Sequence, residues 1–89
     1  MKFTLSWKLS AELHLAEIWT NSDDRAAVTD AANHIDFLLQ TDPQSRGESR
    51  SGARRILVVP PLAIAYEVHE LDRRVFVLSV RYRKPGGSK

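Results

Sequence analysis

The spacing of apolar residues changes from a period of two to a helical period within the first ten positions. In FTLSW, residues 3–7, apolar side chains alternate with polar ones, which predicts a β-strand. From Leu9 to Trp19 the apolar positions recur every three or four residues and predict a helix. NSDD at 21–24 interrupts this spacing and supplies capping side chains for a second helix, which should end before Pro43. The first half of the chain therefore predicts a strand followed by a helical hairpin.

The second half is rich in β-branched and aromatic residues. RRILVV at 54–59, PPLAIAYEVHE at 60–70 and RRVFVLSVRYR at 73–83 predict three further strands. Residues 41–53 are rich in Ser, Gly, Pro and Arg and predict a mobile surface loop, and the tail at 84–89 is expected to fray. The prediction is one domain over residues 1–89 with an α/β (α+β) fold. Its element order is βααβββ, with an antiparallel sheet packed against the N-terminal helical hairpin.

Alternation along the last strand separates its cations from part of its apolar residues. The set expected to face the helices comprises Phe76, Leu78, Val80 and Tyr82. The opposite set comprises Val75, Val77, Ser79, Arg81 and Arg83. If the last two strands pair as a hairpin through the ELD stretch, the two arginines lie across from Pro61 and Ala63. Because these neighbours are small and uncharged, the sequence predicts a shallow basic depression on this face of the sheet.

Charge is distributed unevenly along the chain. Residues 1–45 carry three Lys or Arg against seven Asp or Glu, whereas residues 46–89 carry ten against four. This asymmetry predicts a polyanionic or acidic partner on the surface that the second half forms. The chain has no cysteine and its three histidines lack metal-ligand spacing, so we expect neither a metal nor another cofactor. It has no stretch of about 20 apolar residues and no signal-peptide pattern, so we expect a cytoplasmic protein without a membrane partner.

Five segments together resemble a known family. They are AELHLAEIW at 11–19, AAVTDAANHIDFLLQTDP at 26–43, RRILVV at 54–59, LAIAYEV at 62–68 and VFVLSVRYR at 75–83. In this order they resemble the RelE/ParE superfamily of type II toxins over about residues 2–83. The resemblance implies a bacterial plasmid-stabilisation toxin that arrests growth, and an acidic, partly disordered cognate antitoxin that covers it. It also implies a target, which is DNA gyrase for ParE proper and messenger RNA on the ribosome for the ribonuclease members.

The resemblance also implies candidate site residues. Ribonuclease members carry basic side chains at the end of the last strand, and Arg81 and Arg83 match that position. In a ribonuclease these two would hold the scissile phosphate and stabilise its developing charge. Glu48 would match the general base that one subgroup carries in the loop before the sheet. The remaining candidates for target or nucleic-acid binding are Arg50, Arg54, Arg55 and Lys84.

Three functions remain open on these residues. Ala63 occupies a position at which many ribonuclease members carry an arginine, which favours a ParE-like toxin that binds a protein target such as gyrase. The basic residues near the last strand keep open an alternative, a RelE-like ribosome-dependent mRNA endoribonuclease. A degenerate toxin that only binds its antitoxin is the third alternative.

Overall fold

A computed structural model of the chain contains one five-stranded sheet with two helices packed on one of its faces. It describes residues 2–44, 47–49 and 52–83. In chain order the elements are β1 (Thr4–Trp7), α1 (Leu9–Asn21), α2 (Arg25–Thr41), β2 (Glu48–Ser49), β3 (Arg54–Val59), β4 (Leu62–His69) and β5 (Arg74–Tyr82). The predicted α+β fold, with its helical hairpin after the first strand, is confirmed. Neither described helix is long and apolar enough to cross a lipid bilayer.

The strands lie in the order β1-β5-β4-β3-β2. The pairings among β2, β3, β4 and β5 are antiparallel, as predicted, but β1 pairs with β5 in parallel, so the sheet is mixed. The strand β2 forms within the segment predicted to be a loop, at Glu48 and Ser49. Residues 45, 46, 50 and 51 of that segment, and the tail at 84–89, lie outside the described residues.

The core lies between the helices and the face of the sheet that they cover. The residues that α2 buries follow helical spacing and are Val28, Ala31, Ile35 and Leu39. The residues that β4 buries alternate along the strand and are Leu62, Ile64, Tyr66 and Val68. Because one set of alternating side chains fills the core, the other set, which includes Ala63 and Ala65, lies on the face away from the helices. We call this second face the open face of the sheet.

The last strand contains a β-bulge that the sequence pattern did not predict. Tyr66 of β4 pairs with Val77 of β5, whereas the preceding Ala65 pairs with Ser79. Leu78 is therefore an extra residue in β5, and it reverses the phase of the alternation from that point on.

The bulge changes which residues of β5 enter the core. Before it, Val75 and Val77 are fully buried, while Phe76 and Leu78 are only partly buried and lie outside the core cluster. The prediction that Phe76 and Leu78 face the helices, with the two valines on the opposite side, is therefore wrong. Beyond the bulge the phase agrees with the prediction again, so Arg81 lies on the open face.

The end of β1 is tied to α2 through an indole. Trp7 Nε1 donates a hydrogen bond to Asp36 Oδ1 over 3.1 Å. Desolvation by burial raises the pKa of Asp36 above its ordinary value, and the bond from Trp7 lowers it by less. The folded protein therefore takes up this proton at a higher pH than the unfolded chain does. The ionised carboxylate consequently opposes folding at neutral pH.

This pKa shift predicts a small pH-dependent gain in stability for Asp36→Asn. The neutral amide retains an acceptor for Trp7 and carries no charge to desolvate. We expect a slightly higher Tm at pH 7, worth no more than about 0.5 kcal/mol because the carboxylate is partly exposed. The gain should shrink as the pH falls and Asp36 becomes protonated in the fold, because the two side chains are then both neutral. Asp30→Asn, at an exposed position of α2, is the control, and a lower Tm for Asp36→Asn at pH 7 would contradict this account.

Candidate functional site

The open face of the sheet contains a depression of about 660 Å³. Its floor is formed by small side chains in adjacent strands, because Ala63 pairs with Arg81 and Ala65 pairs with Ser79. The residues that line it are Arg54, Ile56, Val58, Ala63, Ile64, Ala65, Ser79, Arg81, Tyr82 and Arg83. We call this feature the basic depression. Three of its lining residues are cations and none is an acid, so it is suited to a negatively charged ligand.

Arg81 and Arg83 stand at one end of the basic depression. Arg81 lies opposite Ala63, and the backbone N–H of Arg83 donates to the carbonyl oxygen of Pro61 over 2.7 Å. This is the strand register that the sequence predicted. Both side chains are exposed, and within the described ranges no carboxylate forms an ion pair with either of them. Their charge is therefore available to a partner.

The opposite end of the open face is partly neutralised. Arg54 Nη2 lies 3.8 Å from Glu67 Oε2, and the other oxygen of Glu67 lies 3.1 Å from His69 Nε2. The His69 ring also meets Phe76 edge to face, with centroids 5.2 Å apart. No role was predicted for Glu67 or His69, although they are two residues apart in a strand and so share a face. Positive charge on the open face is therefore concentrated at the Arg81 end.

Glu48 lies on the open face as well, but at the far edge of the sheet. It pairs with Ile56, which pairs with Ala65, which in turn pairs with Ser79. Three strand spacings therefore separate the backbones of Glu48 and Ser79, a distance of about 14 Å. Arg81 is farther still, so a general base at Glu48 and a phosphate ligand at Arg81 do not converge on one small group.

A close contact and a buried hydrogen bond fix the backbone that leads into Glu48. Gly47 has a φ of +65°, and a Cβ at this position would collide with the carbonyl oxygen of Ile56. Beneath it, the buried hydroxyl of Tyr66 donates to the carbonyl oxygen of Pro43 over 2.9 Å. Glu48 is thus carried by an ordered edge strand.

The other predicted binding residues fall in different places. Arg55 pairs with Tyr66, so its side chain leaves the sheet on the face opposite to that of Arg54. Its Nη2 donates to the carbonyl oxygen of Gly47 over 3.3 Å. Arg50 and Lys84 lie outside the described residues. Of the predicted cations, the structure therefore brings Arg54, Arg81 and Arg83 together in one depression and separates Arg55 from them.

At the end of β5, Tyr82 is accessible from both faces of the sheet. It is 41% exposed, lines the basic depression, and also lines a smaller cavity of about 220 Å³ beside α1. The sequence predicted a side chain that faces the helices. The observed exposure leaves much of the ring accessible to a partner.

Comparison with known proteins identifies the fold. No protein-family model matches the chain, and no curated protein matches it. A chain of the chromosomal ParDE TA system from P. aeruginosa is 20% identical, with a TM-score of 0.72, over 92% of this chain and 97% of that chain. A chain of the toxin-antitoxin complex RelBE2 from Mycobacterium tuberculosis is 15% identical, with a TM-score of 0.75, over 93% and 100%. The isolated RelE toxin of E. coli is 13% identical, with a TM-score of 0.59, over 96% and 88%.

These likenesses establish the architecture of the chain. It has the fold of the RelE/ParE type II toxins, as the order of its sequence segments predicted. In this chain the candidate site is the basic depression on the open face, because its lining contains three cations and no acid.

Proposed function

We propose that this chain is the toxin of a type II toxin-antitoxin system and that it acts in the cytoplasm by binding a protein target, as ParE does with DNA gyrase. The proposal rests on the fold together with one observation, the exposed Arg81 and Arg83 beside the small residues of the basic depression. A surface with cations and no lining acid favours a negatively charged partner segment. A plasmid-stabilisation role in a bacterial host belongs to the same proposal.

The cognate antitoxin is the second partner in this proposal. An acidic, partly disordered segment can fold onto the open face as it binds, placing carboxylates against Arg81 and Arg83. Such a segment would occupy the surface that the target needs, and so would keep the toxin inactive. One similar chain comes from a ParDE TA system and another from the toxin-antitoxin complex RelBE2, which supports a partner of this kind.

The geometry favours binding over RNA cleavage. Cleavage requires a general base within hydrogen-bond reach of the 2′-hydroxyl while cations stabilise the adjacent phosphate. Glu48 lies in the edge strand β2 and Arg81 lies three strands away in β5, and Ala63 supplies no cation between them. The ribonuclease alternative is favoured by a different observation, which is that Glu48, Arg54 and Arg81 share the open face.

Induced expression in a bacterial host without the antitoxin distinguishes these functions. We expect growth arrest with induction of the SOS response and intact messenger RNA, read by primer extension on abundant transcripts within minutes. Glu48→Ala should arrest growth as strongly as the wild type, because a binding toxin does not need a general base. New codon-positioned 5′ ends that disappear in Glu48→Ala would establish the ribonuclease instead. Normal growth despite folded protein would leave only antitoxin binding.

A further inference from the structure

The centre of the open face is apolar, although this face has no helix on it. In the adjacent strands β3 and β4, Val58 pairs with Ala63 and Ile56 pairs with Ala65. Val58 is 48% exposed, and the other three side chains are partly exposed. A sheet face that stays in water typically carries polar side chains. An apolar centre bordered by the cations of the basic depression therefore indicates a surface that another protein covers.

The outer side of α1 is apolar as well. The helix buries Ala11 and Ile18, whereas Leu9 is 69% exposed and Leu13 is 62% exposed. Leu9 and Ile18 are separated by about two and a half helical turns, so they lie on opposite sides of the helix. Leu13 follows Leu9 by one turn and shares its side. Two large apolar side chains therefore point away from the core.

Acidic side chains accompany these leucines. From the start of α1 to the end of α2 the chain contains six carboxylates and a single cation, Arg25. The Arg25 guanidinium donates to two backbone carbonyl groups at the end of α1. The acids of α1 are Glu12 and Glu17, which are exposed and flank Leu9 and Leu13 by helical spacing. We call these two leucines and two glutamates the α1 stripe.

We propose that the open face of one copy of the chain binds the α1 stripe of a second copy. The leucines would pack on the apolar centre of the open face. The two glutamates would form charge-assisted hydrogen bonds with the cations at its border, above all Arg81 and Arg83. A helix on this face would give the sheet helices on both sides, which is a common layered arrangement. A second copy fits because its α1 stripe has the opposite charge to the basic depression.

The positions of the two surfaces determine the kind of assembly. The α1 stripe and the open face lie on opposite sides of the sheet, so two copies cannot exchange both contacts. Each added copy leaves one surface of either kind unoccupied, and association continues head to tail. One helix on a sheet face buries less than about 1,200 Å², so the contact should be weak and reversible. This association concerns the free chain and does not depend on the proposed function.

Sedimentation velocity measures the association directly. In about 0.05 M sodium chloride, the weight-average mass should rise between about 0.01 and 1 mM protein and pass the mass of two chains. Raising the salt to about 0.5 M should weaken the association about tenfold, because the contact includes exposed charges. A chain that stays monomeric at 1 mM, or a mass that levels off at two chains, would overturn the proposal.

Matched variants identify the two surfaces. Leu9→Gln with Leu13→Gln removes the apolar part of the α1 stripe, and glutamine keeps a helix propensity close to that of leucine. This variant should self-associate at least about tenfold more weakly than the wild type. Arg81→Glu with Arg83→Glu should have the same effect from the other surface. Phe37→Gln makes the same apolar-to-polar change at a 63% exposed position of α2, and should associate as the wild type does.

Mixing the two defective variants gives the sharpest test. The glutamine variant retains an intact open face, and the glutamate variant retains an intact α1 stripe. An equimolar mixture should therefore form one-to-one dimers and stop there, since no intact surface is left to extend them. If circular dichroism shows that either double variant is unfolded, Leu13→Gln or Arg83→Gln replaces it, with an expected weakening of about threefold. Self-association of the folded glutamine variant at wild-type strength, or a mixture that remains monomeric, would contradict the proposal.

Discussion

A toxin in which both strand-end arginines are reversed, Arg81→Glu with Arg83→Glu, should no longer arrest growth. The double change replaces two exposed cations of the basic depression by two anions and shifts the local charge by four units. An acidic partner surface that gained from these arginines is then repelled, which costs several kcal/mol for closely apposed like charges. Such a loss weakens binding at least about a hundredfold. Growth after induction, measured against wild type at equal expression, reads the effect directly.

Charge reversal elsewhere controls for nonspecific effects. Lys2→Glu with Lys8→Glu shifts the net charge by the same amount at two exposed positions that do not line the basic depression. That variant should remain toxic. Both variants should retain the wild-type circular dichroism spectrum, because exposed side chains at these positions contribute little to stability. A folded Arg81→Glu, Arg83→Glu protein that still arrests growth would remove the basic depression from the mechanism.

The position of these arginines was predictable because it depends on local features. The hairpin between β4 and β5 is closed by a short turn, and the register of two adjacent strands follows from such a turn. Ala63 therefore lies opposite Arg81, as the sequence indicated. The alternation in β4 is regular, so its buried set could be read directly from the sequence. Both inferences require only neighbouring segments of the chain.

Features that depend on distant partners were not predictable in the same way. β1 runs parallel to β5, and nothing in its own residues specifies its direction relative to a strand some 70 positions later. The two-residue strand β2 exists because β3 offers it an edge, and its Glu and Ser composition gives no strand signal. Arg54 and Arg55 are adjacent in sequence, and only their pairing with β4 decides which of them reaches the open face.

The bulge at Leu78 is the clearest case, because the pattern around it is misleading. VFVLSV contains apolar residues at both phases of a strand, so alternation alone cannot choose which set is buried. Alternation in phase with Val80 and Tyr82 predicted that Phe76 and Leu78 face the helices. Pairing with β4 and β1 instead places Val75 and Val77 beneath the helices. An extra residue then allows Arg81 to reach the open face despite this reversal.

The bulge predicts opposite outcomes for one substitution at two adjacent positions. Val77→Asp should leave the protein unfolded at 25 °C. Val77 is fully buried between Trp7 of β1 and Tyr66 of β4, so a carboxylate there would be shielded from solvent. A buried unpaired charge costs several kcal/mol, which is comparable with the whole stability of about 5–15 kcal/mol of a small domain. Leu78→Asp should fold, at a cost of about 1 kcal/mol, because Leu78 is only partly buried and lies outside the core cluster.

Urea unfolding followed by far-ultraviolet circular dichroism measures both variants against the wild type. A cooperative transition is expected for Leu78→Asp, with a lower midpoint and an unchanged slope, and none for Val77→Asp. Uninterrupted alternation predicts the reverse order, since Leu78 would then face the helices and Val77 the solvent. If Val77→Asp folds and Leu78→Asp does not, β5 contains no bulge at Leu78. The buried set of β5 would then follow simple alternation. The position of Arg81 on the open face would be supported only by its pairing with Ala63 of β4.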